Sequence, residues 1–143
     1  MKALTLWQPW AAAIAHSSKR VENRGWKPWP SVIGQRIAIH ASSRNLTQEE
    51  LANVQVHPLF GPTLEYLHVR SAIVCTAVVT GYATSRAELP SHSQHGAWYV
   101  DGSVAWLLDR VWSLEEPVPC KGAHGLWDVP ADVFRQLQEQ GKV

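Results

Sequence analysis

Hydrophobic and polar positions alternate along several short stretches of the chain, and residues rich in proline, glycine and polar side chains separate these stretches. Residues 2–7 (KALTLW) and 35–43 (QRIAIHASS) alternate with the two-residue period of a β-strand. Residues 72–80 are apolar and rich in β-branched side chains, which is typical of a short central strand. Further strands are expected at residues 19–26, 103–114 and 126–129. Residues 103–114 are expected as either one strand or a bent pair of strands.

A few short helices are expected between these strands. Pro9 suits the first turn of a helix, and residues 10–17 follow with a narrow buried stripe of mostly small side chains. Residues 47–50 (TQEE) have the spacing of a capping box, so a second helix begins there. A last helix opens at Pro130 and ends at Gly141. Loops are expected at residues 26–34, 56–66 and 115–125, and a polar crossover at residues 83–98.

This order of elements predicts an α+β fold, with a small, mostly antiparallel β-barrel and a few short flanking helices. The chain has 143 residues, which is a usual length for one domain, and it contains no internal repeat or long linker. We therefore expect residues 1–143 to form a single domain.

Composition limits the classes of function. The formal net charge is +1, so the chain has no strong overall field for binding a duplex along many phosphates. Eight tryptophans are present, and most of them, including Trp106, are expected in the core. Cys75 lies in an apolar run and is expected to be buried, and with the distant Cys120 it does not suggest a disulfide framework. No apolar segment is long enough to span a bilayer, so we expect a soluble, cytoplasmic protein without a membrane partner.

Charged residues cluster directly after the first predicted helix. Lys19, Arg20, Glu22 and Arg24 fall within six positions, and Trp26 follows them. At strand spacing, Glu22 and Arg24 share one face about 7 Å apart, which suits either an ordinary surface ion pair or a binding surface. The nearby Trp-Gln-Pro-Trp turn favours a binding surface, because cations beside aromatic rings can hold a planar base by stacking and phosphate contact.

The same residues belong to a longer pattern. Lys19, Glu22 and Arg24 match a Gly-x-Lys-x-x-Glu-x-Arg motif, in which Ser17 takes the glycine position. The motif lies in the first of three blocks, which are residues 4–26 (LTLWQPWAAAIAHSSKRVENRGW), 34–42 (GQRIAIHAS) and 106–127 (WLLDRVWSLEEPVPCKGAHGLW). With these blocks in this order, the chain resembles the activating signal cointegrator homology (ASCH) domain of the PUA-like superfamily over residues 3–129.

The resemblance implies a PUA-like β-barrel with a cleft whose floor carries the Lys-Glu-Arg strand. It also implies binding of RNA or another single-stranded nucleic acid, DNA included, or of a modified nucleoside, with one nucleotide recognised in the cleft. Lys19 would donate to the ligand and attract phosphate, Glu22 would accept from a base amino group, and Arg24 would brace Glu22 or contact a second phosphate. We expect these three side chains to be partly exposed. The implied ligand-binding residues are Trp7, Gln8, Pro9, Trp10, Lys19, Glu22, Arg24, Trp26, His40, Ser42 and Lys121.

A hydrolase is the alternative function that the resemblance raises. Bacterial members that remove the acetyl group from N4-acetylcytidine use a Lys and a Thr of this motif with a Glu on a later strand. Here Glu22 occupies the Thr position and residues 76–81 contain no carboxylate, so Lys19 and Glu22 would be the catalytic residues of an unusual amidohydrolase. In a ribonuclease, His40, Lys19 and Glu22 would perform the acid and base steps if they converge.

Two pairs of potential zinc ligands lie about 25 residues apart, at the spacing that some metal sites use. They are His92 with His95, and Cys120 with His124. The loop around Cys120 resembles the turn that the family places before its last strand, and that turn needs no metal. We therefore predict neither a metal nor a cofactor.

Overall fold

The computed structural model describes residues 1–91 and 93–143, and it is built on one six-stranded sheet. The strands lie in the order β2-β5-β4-β3-β1-β6, with β1 and β3 parallel and the other neighbours antiparallel. They are β1 (Lys2–Leu6), β2 (Val21–Arg24), β3 (Arg36–Ala41), β4 (Ala72–Ala83), β5 (Val104–Pro119) and β6 (Leu126–Asp128). The sheet curls into a half-barrel, which confirms the predicted α+β, mostly antiparallel barrel-like fold.

Short helices connect and cover the strands. The α-helices are α1 (Trp10–His16), α2 (Gln48–Val56), α3 (Ser93–Trp98) and α4 (Ala131–Glu139), with 3₁₀ turns at Pro30–Val32, Pro58–Tyr66 and Arg86–Glu88. Of these helices, α1, α2 and α4 lie at the predicted places, whereas α3 lies in the stretch expected as a polar crossover. The capping box before α2 is confirmed, because the Thr47 hydroxyl accepts from the Glu50 N–H at 3.1 Å and the Glu50 carboxylate accepts from the Thr47 N–H at 2.8 Å. None of the described helices is long and apolar enough to cross a membrane.

Two local predictions are wrong. Residues 115–119 were expected as loop, but they continue β5, because Ile73 in β4 pairs with Val118 and this side chain is buried. In α1, Ala11–Ala15 are all buried rather than a narrow stripe. The helix packs against the sheet on one side and against the Pro58–Tyr66 segment on another, so tertiary contacts cover almost its whole surface.

The main core lies between one face of the sheet and α1. It contains Trp106, which is fully buried as predicted, and the free thiol of Cys75, whose pKa burial raises to about 12. The expectation that most tryptophans lie in the core is wrong, because of the eight only Trp98 and Trp106 are buried. On the opposite face of the sheet, α4 packs Val133 and Leu137 against Ala38 and its neighbours. Both faces of β3 are therefore covered, although alternation along the sequence predicted only one apolar face.

Candidate functional site

The charged motif forms a three-residue ion-pair cluster that begins two residues before β2 and extends to its last residue. Lys19 Nζ lies 2.8 Å from Glu22 Oε1 and also donates to the Val21 carbonyl. Arg24 Nε lies 3.1 Å from Glu22 Oε2, but it is not aligned for a hydrogen bond. The guanidinium instead donates from Nη2 to the Thr5 carbonyl of β1 at 3.0 Å. Glu22 is thus fixed between two cations, and Arg24 links β2 to a strand that is not its neighbour in the sheet.

The expectation that the whole motif is partly exposed is wrong. Lys19 is 1% exposed and Glu22 8%, and among the three only the Arg24 side chain keeps substantial contact with solvent. An ordinary surface ion pair is therefore also a wrong description. Trp10 contributes to the burial, since its ring centroid lies 5.9 Å from Lys19 Nζ. Ser17 adopts an extended conformation with φ −124°, so serine fits a place where the motif has glycine.

Two adjoining cavities open beside this cluster and share Thr5, Trp7 and Arg24. The smaller, of about 180 Å³, is lined by Thr5, Leu6, Trp7, Trp10, Glu22 and Arg24. The larger, a cleft of about 810 Å³, lies between β1, β3 and residues 120–125. It is lined by Thr5, Trp7, Arg24, His40, Ser42, Ser43, Ser71, Cys120, Lys121, Gly122, Ala123, His124 and Gly125.

His40 attaches the loop of residues 120–125 to the sheet. Its Nε2 lies 2.8 Å from the Cys120 carbonyl, which can only accept, so Nε2 carries the proton and Nδ1 accepts from the Thr5 hydroxyl at 3.2 Å. Thr5 Oγ1 in turn accepts from Trp127 Nε1 at 3.0 Å. Burial lowers the pKa of His40, and the bond to Cys120 opposes this only in part, so the ring is neutral at pH 7.

Gly122 packs directly on this histidine. A Cβ atom built there would lie 2.6 Å from the His40 ring and 2.7 Å from Thr5 Oγ1. Real Cβ atoms do not approach neighbours so closely, so glycine is required for the loop to close over His40. Thr5 and Gly122 are residues of the cleft that sequence reasoning missed, although a glycine inside a short polar loop was a usable signal.

Trp7 forms the exposed aromatic edge of both cavities, with 55% of its surface in solvent. The Arg44 guanidinium lies 4.0 Å from its ring centroid and donates from Nη2 to Glu50 Oε1 at 2.9 Å. Sequence reasoning missed Arg44 because it lies 37 positions after Trp7 and only the fold brings them together.

The structure brings part of the predicted residue set together. The larger cleft contains Trp7, Arg24, His40, Ser42 and Lys121, and the smaller cavity contains Trp7, Trp10, Glu22 and Arg24. The predicted residues that line neither cavity are Gln8, Pro9, Lys19 and Trp26.

Three of these four residues have packing roles. Gln8 is buried, donates to the Val69 carbonyl at 2.8 Å and accepts from the Ala12 N–H at 3.0 Å, which fixes the start of α1. The Pro9 ring beside it is buried, and the Gln8–Pro9 peptide bond is cis. Trp26 packs edge-on against Trp106, with ring centroids 4.8 Å apart.

The residues weighed as zinc ligands are only partly described. Cys120 and His124 line the larger cleft, His95 lies in α3, and His92 lies outside the described residues. Within the described part of the chain, no group of three or more His, Cys, Asp or Glu side chains is placed to hold a metal ion.

A family model described as the ASCH domain matches residues 4–117, which is well over half of the chain. The chain belongs to the ASCH family. This family is generally linked to RNA binding. No curated protein matches the chain.

Among solved structures, the ASCH domain is similar to the crystal structure of a mutant ZmASCH protein from Zymomonas mobilis. The two share 16% sequence identity and superpose with a TM-score of 0.55, over 96% of this chain and 94% of the other. At this identity the likeness concerns the fold, and it agrees with the curled sheet described above.

Proposed function

We propose that this ASCH domain binds single-stranded RNA and accepts one nucleotide in the cleft beside Trp7. The observation that carries the proposal is the exposed Trp7 ring at the edge of both cavities, whose linings also include the Arg24 cation. An exposed ring beside a cation suits an unstacked base and its phosphate, and stacking contributes about 1–3 kcal/mol per base.

The larger cleft has the size and the charges for a nucleotide. Its volume of about 810 Å³ is within the range of small-molecule sites. Lys121 and His124 are exposed on its loop, and Lys121 and Arg24 can pair with phosphate oxygens. These few cations match a local contact with a strand rather than a track along a duplex.

The smaller cavity supports a role for Glu22 in reading the base. Its carboxylate is fixed by Lys19 on one oxygen and approached by Arg24 on the other, and a carboxylate has about four accepting positions in all. One of these can accept from a base amino group. Lys19 then acts on the ligand through Glu22 rather than by direct contact, because it lines neither cavity.

Hydrolysis is supported less well than binding. The Lys19 ammonium is paired with Glu22 and almost fully buried, which is a poor environment for a nucleophile. Both ring nitrogens of His40 are already engaged with Thr5 and Cys120. His40 and Glu22 also line different cavities, so the convergence that ribonuclease chemistry needs does not occur in this arrangement.

Calorimetric titration with uridine, cytidine, adenosine and guanosine monophosphates tests the proposal. Trp7→Ala should weaken binding of the preferred nucleotide about tenfold, the usual order for losing one stacked base. Trp29→Ala is the matched control, because Trp29 is 45% exposed but lines neither cavity, and it should bind like the wild type. Equal affinities for wild type and Trp7→Ala would contradict the proposal.

The same samples separate binding from hydrolysis. Incubating N4-acetylcytidine and a short RNA with the protein should leave both substrates intact, as judged by chromatography over time. Product that accumulates with the wild type and disappears in Lys19→Met or Glu22→Gln would instead support the hydrolase alternative.

A further inference from the structure

Exposed tryptophans in the described chain each face a cationic side chain, and in three of the four pairs a carboxylate neutralises the cation. These three are Trp7 with Arg44 and Glu50, Trp10 with Lys19 and Glu22, and Trp29 with Lys2 and Asp128. In the fourth pair, the Arg36 guanidinium carbon lies 3.4 Å from the Trp112 ring centroid. Within the described residues, Arg36 has no ion-pair partner.

Arg36 is held firmly by one of its two terminal nitrogens. Nη1 donates to Thr76 Oγ1 at 3.1 Å and to the Arg110 carbonyl at 2.7 Å. Across the described chain, Arg36 Nε and Nη2 and Trp112 Nε1 make no hydrogen bond to protein. Trp112 itself is 40% exposed. The site therefore offers unpaired donors beside an aromatic ring, in a fixed orientation.

Arg110 adds a second positive charge to this place. Its side chain is 66% exposed, and its closest carboxylate oxygen, on Asp109, lies 3.9 Å from Nε. Its backbone has φ +46°, a strained conformation for a residue other than glycine, and this turns its carbonyl to Arg36. Burial and the nearby Arg110 charge both lower the pKa of Arg36. A bound anion would relieve this repulsion.

This Arg36–Trp112 surface, made of Arg36, Arg110 and Trp112, is separate from the cleft. None of its three residues lines the cleft or the smaller cavity. β3 nevertheless connects the two sites, since it begins at Arg36 and its residue His40 lines the cleft, about 13 Å further along the strand. Helix α4 covers Ala38 between the two sites, so a bound strand would have to pass around this helix, and an oligonucleotide rather than a mononucleotide is needed to reach both.

We propose that the Arg36–Trp112 surface is a second contact for the bound single-stranded RNA, with a base stacked on Trp112 and its phosphate between Arg36 and Arg110. The class of ligand rests on the proposed function, whereas the site rests on the exposed Trp112 ring, on Arg36 without an ion-pair partner, and on the exposed Arg110, whose contact with Asp109 is long at 3.9 Å. A ring together with an anion is what one nucleotide unit presents, and a guanidinium pairs well with phosphate oxygens.

Fluorescence anisotropy with an oligouridylate of about 12 nucleotides tests this surface, because that length is within the range that one small domain can contact. Trp112→Ala should weaken binding of the oligonucleotide about tenfold. Arg110→Asn should reduce the slope of log affinity against log salt by about one, since it removes one phosphate contact and asparagine tolerates positive φ. The affinity of the preferred mononucleotide for the cleft should not change in either variant.

Trp29→Ala is the control, since it removes a ring about as exposed as that of Trp112. The cation beside the Trp29 ring is Lys2, which is already paired with Asp128. The second contact is wrong if Trp112→Ala and Arg110→Asn both bind the oligonucleotide like the wild type, or if Trp29→Ala weakens binding equally. It is also wrong if a poly-glutamate peptide, and not the oligonucleotide, is the ligand lost in Trp112→Ala. None of these results would change mononucleotide binding that depends on Trp7. The second contact can therefore be wrong while the proposed function of the cleft remains supported.

Discussion

Lys19 and Glu22 place two opposite charges out of water, with Arg24 beside the same carboxylate. Removing one partner of such a pair leaves the other charge buried, which typically costs about 3–5 kcal/mol. We expect Lys19→Ala to lower the free energy of unfolding by about 3 kcal/mol, because Arg24 still compensates part of the charge of Glu22. Chemical denaturation at neutral pH measures this.

Lys121→Ala is the control for that measurement. Lys121 is exposed at the cleft, so its loss should change stability by less than about 0.5 kcal/mol while weakening nucleotide binding. If Lys19→Ala unfolds at the same denaturant concentration as the wild type, the buried ion pair does not stabilise the fold. That unchanged stability is the result expected if Lys19 and Glu22 were partly exposed, as the sequence suggested.

The neutral state of His40 makes stability depend on pH. Burial lowers its pKa in the folded protein below the ordinary value of 6.5. Between the lowered pKa of the folded state and the ordinary pKa of the unfolded state, the unfolded chain binds more protons than the folded protein. The contribution of His40 to the free energy of unfolding is therefore fully present above about pH 6.5 and is lost as the pH falls towards the lowered pKa. Burial also lowers the pKa of His16, which adds a change of the same sign.

Replacing His40 by glutamine isolates its share of this effect. We expect His40→Gln to lose less stability than the wild type between about pH 7 and pH 5.5, because the amide does not titrate and His16 is unchanged. Thermal melting at several pH values gives the comparison. Parallel curves for the two proteins would show that His40 does not carry the pH dependence.

At the scale of elements, the loop of residues 120–125 is held by its contacts with β1 and β3 rather than by regular structure of its own. A Cβ at Gly122 would lie within 2.7 Å of both His40 and Thr5. Gly122→Ala should therefore displace this loop, reduce stability by roughly 1–3 kcal/mol and weaken nucleotide binding, since the loop forms one wall of the cleft.

Gly25→Ala provides the control for the loop. Gly25 has open space around a Cβ and no positive φ, so this change should leave folding and binding close to the wild type. Calorimetric titration and thermal melting of both variants test the pair. Normal binding by Gly122→Ala would mean that the loop is not a wall of the ligand site.

At the scale of the whole molecule, most strand pairs join elements far apart in the sequence. The first strand, β1, pairs with both β3 and the late β6, and Arg24 connects β2 back to β1. We expect such a chain to unfold in one cooperative step, with the same midpoint by circular dichroism and tryptophan fluorescence. Two transitions with different midpoints would contradict the expectation of a single domain.

The sequence by itself determined the local elements and the identity of the family. The signals used were the alternation of apolar and polar residues, the capping box at Thr47 and Glu50, and the proline and glycine around α4. Each of these signals acts within a few residues, so it can be recognised in the sequence before the fold is known. The motif of Lys19, Glu22 and Arg24 is local in the same way, and its matching to the ASCH domain was correct.

Only the tertiary structure decided which of those residues contact solvent and which meet each other. Burial of Lys19 and Glu22 depends on Trp10 and on how β2 sits in the sheet, and the contact of Arg36 with Trp112 depends on the pairing of three strands. Residues 115–119 form strand because they pair with the beginning of β4, where Ile73 lies opposite Val118. Such effects arise between segments far apart in the chain, and free energies of pairing and burial outweigh local preference.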